Sequence, residues 1–220
     1  MTESRLRAIR WSRRPELAAV VLALAWFAMP AGAATAEENY QEARRIFVRG
    51  DVVGAMPLLR KAADEGHAPA QVLLAQMLDQ AEFNSEAVEY FRKAAQQGNA
   101  DGEFGLGSMY AAGEGVPRDA QAALNWYRRA AGRGHDRAIL ALALAHLRGD
   151  LGLTNRKSDD SQVRQWIRTA AEKGDLQAME GLVVALRNGD FGFAVDAGQA
   201  ADWEAKIKKL RATSSRRPKG

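Results

Sequence analysis

Four copies of one short string, A-A-x-x-G followed by His, Asn or Asp, constrain this chain more than any other feature. They read AADEG at Ala62–Gly66, AAQQG at Ala94–Gly98, AAGRG at Ala130–Gly134 and AAEKG at Ala170–Gly174. The copies step by 32, 36 and 40 residues, and self-similarity at such periods marks a repeat array. Two apolar stripes recur around them. Leu58, Tyr90, Trp126, Trp166 and Trp203 share one phase, with Ala55, Ala87, Ala123, Val163 and Ala200 three residues earlier. Leu74, Leu106, Leu142 and Leu182 share another, with Ala70, Gly102, Ala138 and Ala178 four residues earlier. Steps of three and four are the period of a helix, not of a strand. Each unit therefore reads as two antiparallel helices, A and B. Small residues allow close helix approach, and the Tyr/Trp phase fills the space between pairs.

In the clearest copy, helix A is expected from about Ala100 to Ala112, and a Gly-rich turn, Gly113–Pro117, follows. Helix B starts at the N-cap residue Asp119 and ends near Gly132–Gly134, where glycine suits a left-handed C-cap. This copy resembles the Sel-one-like repeat family, a branch of the tetratricopeptide superfamily. Leu106-Gly107, Tyr110, Gly113, Gly115-Val116, Asp119, Ala123, Trp126-Tyr127, Ala130-Ala131 and Gly134 carry the resemblance. It extends in weaker form over about Glu38 to Leu210. The fold class is all-α, an α-α superhelix (solenoid) of antiparallel helix pairs with about ten helices after the signal segment. The resemblance further implies a right-handed array with helix A on its concave side.

The expected organisation is a signal peptide over 1–36, a degenerate helix pair over 37–67 as a cap, four repeats (68–99, 100–135, 136–175 and 176–210) and a disordered basic tail over 211–220. The repeats differ in their turns. Asp79–Asn84 replaces the glycine turn in the first, so its connection should be shorter. The third has a longer loop, Gly149–Ser158, and carries His146 where the pattern has Tyr. The last keeps Gly189-Asp190-Phe191-Gly192 but lacks the terminal alanine pair. Pro57, near the start of a helix, should bend it modestly.

The signal reading rests on five arginines between Arg5 and Arg14, an apolar run from Leu17 to Met29, Pro30, and small residues to Ala36. Ala34-Thr35-Ala36 fits an A-x-A cleavage pattern, and Ala31-Gly32-Ala33 is the nearer alternative. The run is shorter than the roughly 20 residues of a membrane span, although an uncleaved inner-membrane anchor is the competing reading. Removing residues 1–36 changes the charge from 31 − 27 = +4 to 26 − 25 = +1, and removing the last ten residues leaves 22 − 25 = −3. The basicity of the whole chain is therefore no sign of nucleic-acid binding. With no cysteine, disulfides, thiolate zinc sites and cysteine nucleophiles are all excluded.

Catalytic chemistry is sparse. His67 and His135 follow an A-A-x-x-G string where the other copies have Asn99 and Asp175, a phase that fits turns and caps. His146 reads as a polar-tipped residue in the groove. No H-E-x-x-H or P-loop string occurs, and Asp159-Asp160 fits the start of a helix B better than a calcium site. No cofactor or metal is expected, and the chain reads as a binding module, not an enzyme. The resemblance implies a protein or peptide partner held on exposed helix A positions. The candidates are Asp101, Phe104, Ser108, Arg137, His146, Arg148 and Gln177. Phe104 shares its phase with Val72, Leu140 and Glu180, so a core position is open to it as well.

Localisation is expected to be periplasmic or secreted, with no stable membrane span after signal cleavage. The function implied is an adaptor or regulator of envelope processes, in sensor-kinase signalling or polysaccharide export. A secreted effector or adhesin binding a host protein is the alternative. A β-lactam-binding enzyme is disfavoured, since such relatives are cysteine-rich and this chain has no S-x-x-K string.

Overall fold

The computed structural model describes residues 34–214. The basic start, the apolar run and Ala31-Gly32-Ala33 lie outside the described residues, as do the last six residues of the tail. Ten α-helices and no strand are present among the described residues. They are α1 (Ala36–Val48), α2 (Val52–Asp64), α3 (Ala68–Gln80), α4 (Asn84–Gln96) and α5 (Ala100–Ala112), then α6 (Ala120–Gly132), α7 (Asp136–Arg148), α8 (Ser161–Glu172), α9 (Leu176–Asn188) and α10 (Ala197–Ser214). Odd-numbered helices are the A helices and even-numbered ones the B helices. Each packs on its chain neighbours, and α3 also touches α5 as α7 touches α9. This is the all-α solenoid of antiparallel pairs that the repeats imply.

The joint from each B helix to the next A helix explains the repeated string. In Ala62–Gly66, the amide of Gly66 donates to Ala63 O (3.1 Å) and that of His67 to Ala62 O (3.0 Å). These are the two crossed bonds of a Schellman motif, which requires a left-handed residue at its turn. Gly66, Gly98, Gly134 and Gly174 all take that conformation, with φ between +75° and +91°. The same pair of bonds recurs at Asn99, His135 and Asp175. Those residues then serve a second purpose as N-caps. His67 Nδ1 accepts from Ala70 N, Asn99 Oδ1 from Gly102 N, His135 Nδ1 from Ala138 N and Asp175 Oδ1 from Ala178 N. One residue thus closes a B helix and opens an A helix, and the alanines before it are buried because the next A helix packs across them.

The A-to-B connections vary as the sequence indicates. Residues 81–83 join α3 to α4, 113–119 join α5 to α6, and 149–160 join α7 to α8. The last contains a 3-10 turn, Asp150–Gly152, which is repeated between α9 and α10 as Asp190–Gly192. Leu151 and Phe191 occupy equivalent left-handed positions (φ 53° and 55°), costly for bulky side chains. Burial of the Phe191 ring and the Phe191 N–H bond to Arg156 O (2.6 Å) offset that cost.

Leu74, Leu106, Leu142 and Leu182 are wholly buried, as their phase requires. The aromatic phase is more graded. Tyr90 and Trp166 are buried, but Trp126 and Trp203 are only partly covered. Arg129 and Lys206, one helical turn on, lie over the exposed faces of those two rings. The tryptophans expected to fill the space between pairs thus divide into one buried ring, Trp166, and two at the edge, Trp126 and Trp203. The C-terminal boundary also moves: α10 continues through Ser214, so the expected tail begins inside a helix whose Arg211 pairs with Glu180.

Candidate partner-binding face

The A helices carry the surface that the sequence reading singles out, and the fold brings four of its seven residues into one cluster. Phe104 on α5 is half-buried, its edge against the core and its face under the Arg137 guanidinium of α7 (4.8 Å). The His135 ring stacks on it at 4.8 Å, and the Tyr127 ring of α6 lies at 5.5 Å. Asp101 receives the His135 Nε2 hydrogen bond at 3.0 Å and lies 4.0 Å from Arg137. Because His135 Nδ1 accepts a backbone bond, its proton sits on Nε2, which fixes the tautomer. Ser108 donates to Phe104 O (3.1 Å) and accepts from Tyr127 Oη (3.3 Å). Burial pushes the Tyr127 hydroxyl pKa up, so it remains a donor. Phe104 therefore satisfies both readings open to it, as a core edge and as a surface face.

Arg148 and Gln177 hydrogen-bond to each other, joining α7 to the start of α9. Beside them runs a cleft of about 430 Å³ whose floor is Leu144, Leu147, Gly181 and Val184, with Arg156 and Glu180 on its rim. A second cleft of about 350 Å³ between α5 and α7 shares Leu144 and Arg148, and adds Ala111, Arg118, Tyr127 and Leu151. The A row thus presents apolar floors edged by guanidinium groups, the composition that suits an extended peptide or a helix.

His146 does not belong to this surface, which corrects its place among the candidates. Only 8% exposed, it faces α8 and the second 3-10 turn, with Trp166 at 6.1 Å and Phe191 edge-on at 6.3 Å. Its Nε2 has no hydrogen-bond partner. Burial, reinforced by nearby Arg128 and opposed by Asp160, lowers its pKa and keeps it neutral.

Sequence reasoning missed the most deeply buried charge. Glu103 on α5 is 0% exposed and accepts from Arg129 (3.0 Å) and Arg133 (3.1 Å) of α6. A usable signal was present: Asn39, Gln71 and Glu103 share one phase, the last two directly after the small residues Ala70 and Gly102, and all three are buried. Gln71 donates to Ala63 O (2.9 Å) and accepts from Gln97 (2.8 Å). A second polar centre also escaped. Asp190 receives Lys157 (2.8 Å) and Arg156 (3.2 Å), whose bonds lower its pKa against the opposing effect of burial. Among the described residues no three metal-ligating side chains converge, and no helix is long and apolar enough to cross a membrane.

Paired helices joined by these double-duty caps define an α-solenoid of short helical repeats. The Sel1 repeat pattern matches residues 46–67, 84–99, 100–135 and 136–175, and the chain belongs to the Sel1 repeat family. The relatives it resembles are diverse. It is 36% identical over 86 residues to the DAP3-binding cell death enhancer 1 of Rattus norvegicus, covering 38% of this chain and 17% of that protein. It is 31% identical over 103 residues to a chitin synthase regulator of Saccharomyces cerevisiae, covering 45% of this chain and 15% of that protein. The chain thus spans about a sixth of each curated relative. Among solved structures, a protective antigen of uropathogenic Escherichia coli with a Sel-one-like repeat fold superposes with a TM-score of 0.69 at 29% identity, covering 80% of this chain and 38% of the other. A Sel1 repeat protein from Oxalobacter formigenes gives 0.66 at 26% identity, covering 78% and 70%.

Proposed function

We propose that the chain is an exported, non-catalytic scaffold of the bacterial envelope that holds a protein or peptide partner along its A-helix row. The observation that carries this is the pair of adjoining clefts at α5, α7 and α9, which share Leu144 and Arg148 and combine apolar floors with arginine rims. Rigid helix rows present such surfaces without reorganisation, which lowers the entropic cost of binding. A regulatory role, in sensor-kinase signalling or polysaccharide export, is supported by the similarity to a regulator of chitin synthase. Export is supported by the basic start, the apolar run and the small residues that follow. The test is cell fractionation combined with cross-linking and affinity recovery. The expected result is protein in the osmotic-shock fraction, carrying a reproducible envelope partner that Leu144→Glu abolishes. Cytoplasmic protein, or a partner indifferent to Leu144→Glu, contradicts the proposal.

A second reading, a secreted protein binding a host protein, is favoured by one observation, the likeness to a protective antigen of a uropathogen. Recovery of most of the protein from culture medium instead of the shock fraction would support it.

A further inference from the structure

The two adjoining clefts carry a charge pattern that narrows what can fill them. Arg118, in the connection from α5 to α6, and Arg148, the last residue of α7, both line the cleft of about 350 Å³, and Arg148 also lines the one of about 430 Å³. Both side chains are exposed. Arg118 Nε donates to Ala111 O (3.1 Å), and Arg148 donates to the Gln177 side-chain oxygen. These bonds orient the two guanidinium groups without neutralising them, and neither arginine pairs with a carboxylate among the described residues. The other charges on the rims are largely matched within the fold, Arg156 by Asp190 and Glu180 by Arg211. Asp150 is the remaining charged group of the smaller cleft. It offsets one guanidinium and leaves the shared mouth positive.

A guanidinium group has five N–H donors in a planar fork and grips a carboxylate through two of them at once. Both arginines keep such donors turned to solvent, beside apolar floors. Leu144, Leu147 and half-exposed Val184 lie on one side of Arg148, and Ala111, Ala141 and Leu151 on the other. Aliphatic side chains suit both floors, since burying them removes apolar surface from water on each partner. Because Arg148 belongs to both clefts, an anion bound to it has an apolar pocket on either side. A chain that fills both must continue past the anion in both directions, so the carboxylate belongs to an internal Asp or Glu. A terminal carboxylate would leave one cleft empty, and inorganic phosphate would leave both floors hydrated.

We propose that the two clefts bind a peptide segment in which one Asp or Glu is flanked on both sides by aliphatic residues. Its carboxylate lies between Arg118 and Arg148, and its aliphatic side chains enter the clefts on either side of Leu144. This rests on the reading of the A-helix row as the binding face and states what that face recognises.

The probe is a displayed library of random dodecapeptides selected on the purified full chain, followed by fluorescence anisotropy with one enriched peptide. The enriched sequences should carry an acidic residue between aliphatic ones. Arg118→Gln with Arg148→Gln should weaken binding about tenfold, as should an Asp→Asn or Glu→Gln change in the peptide, and the two together should add little to either alone. A rise from ~50 to ~500 mM NaCl should weaken the wild-type complex and leave that of the double variant nearly unchanged. The peptide change keeps the test independent of how the protein variant folds. Enriched peptides without an internal carboxylate, or acidic ones bound equally by the double variant, overturn the inference; if Leu144→Glu still abolishes their binding, the A-row reading stands. No enrichment, or binding indifferent to Leu144→Glu, overturns both.

Discussion

At one position of the A helix, the first three units bury a polar side chain and the last two do not: Asn39, Gln71 and Glu103 give way to half-buried Ile139 and buried Met179. In the first part of the array, hydrogen bonds across the A–B seam hold the register, through an amide pair in one unit and a carboxylate with two arginines in the next. In the second part that position is apolar: exposed ion pairs such as Lys173–Asp136 and Arg187–Glu204 link the paired helices, and the buried carboxylate moves to the long connections, where Arg156 and Lys157 reach from 149–160 to Asp190. The lesson is that a repeat array can place its buried polar groups inside a helix pair or in the turn that closes it. Longer turns accompany the second choice.

The largest effect should come from breaking the seam on one side only. Arg129→Ala with Arg133→Ala leaves Glu103 buried without a counter-ion and should cost about 3 kcal/mol in urea unfolding. Glu103→Met should cost less, about 1 kcal/mol, because both arginines are half-exposed and hydrate in place. Equal costs for the two changes would contradict the contrast drawn between the halves.

Packing sharpens the same comparison at Gly105 and Gly181, which share a phase. A Cβ on Gly105 would lie 2.3 Å from the Phe91 ring, whereas one on Gly181 meets the branched end of Leu147 at 2.4 Å. Gly105→Ala should destabilise by about 2 kcal/mol, since a buried ring has little room to yield. Gly181→Ala should cost under about 1 kcal/mol, because the leucine tip can rotate and a helix favours alanine. Thermal melts of the two variants check this.

His135→Ala removes an N-cap from α7 and a ring from Phe104, and should cost about 1 kcal/mol. The smallest expected effect at neutral pH is at His146. Its folded pKa lies below the ordinary value of 6.5, so the unfolded chain binds more protons and stability falls as pH drops through 6.5 towards the folded value. His146→Phe should therefore be near neutral at pH 8 and stabilising at pH 5. A melting-temperature difference independent of pH would refute this account of the buried imidazole.

Much of the fold was legible in the sequence because the joints are local. A-A-x-x-G followed by His, Asn or Asp encodes a Schellman turn and an N-cap within six residues, and α5 spans Ala100–Ala112 as its pattern implies. The candidate face was partly legible: helical period put Asp101, Phe104, Ser108 and Arg137 on helix A positions, and packing of α7 on α5 brings Arg137 to the other three. What escaped depends on contacts distant in sequence. His146 was expected in the groove because its helix has one face there. Phe191, 45 residues later, shares in covering it, and a single helix's period carries no trace of that. Glu103 looks like an ordinary solvated carboxylate until α6 folds back and brings two arginines to it.

The central claim is that the A row binds and the B row supports. A photo-cross-linking residue placed in living cells at Arg137 or Leu144 on α7, and in parallel at exposed Gln121 on α6 or Gln165 on α8, tests it most directly. The account predicts a discrete cross-linked partner from both α7 positions and none from the B-helix positions. Cross-links that arise only from Gln121 or Gln165 would contradict it.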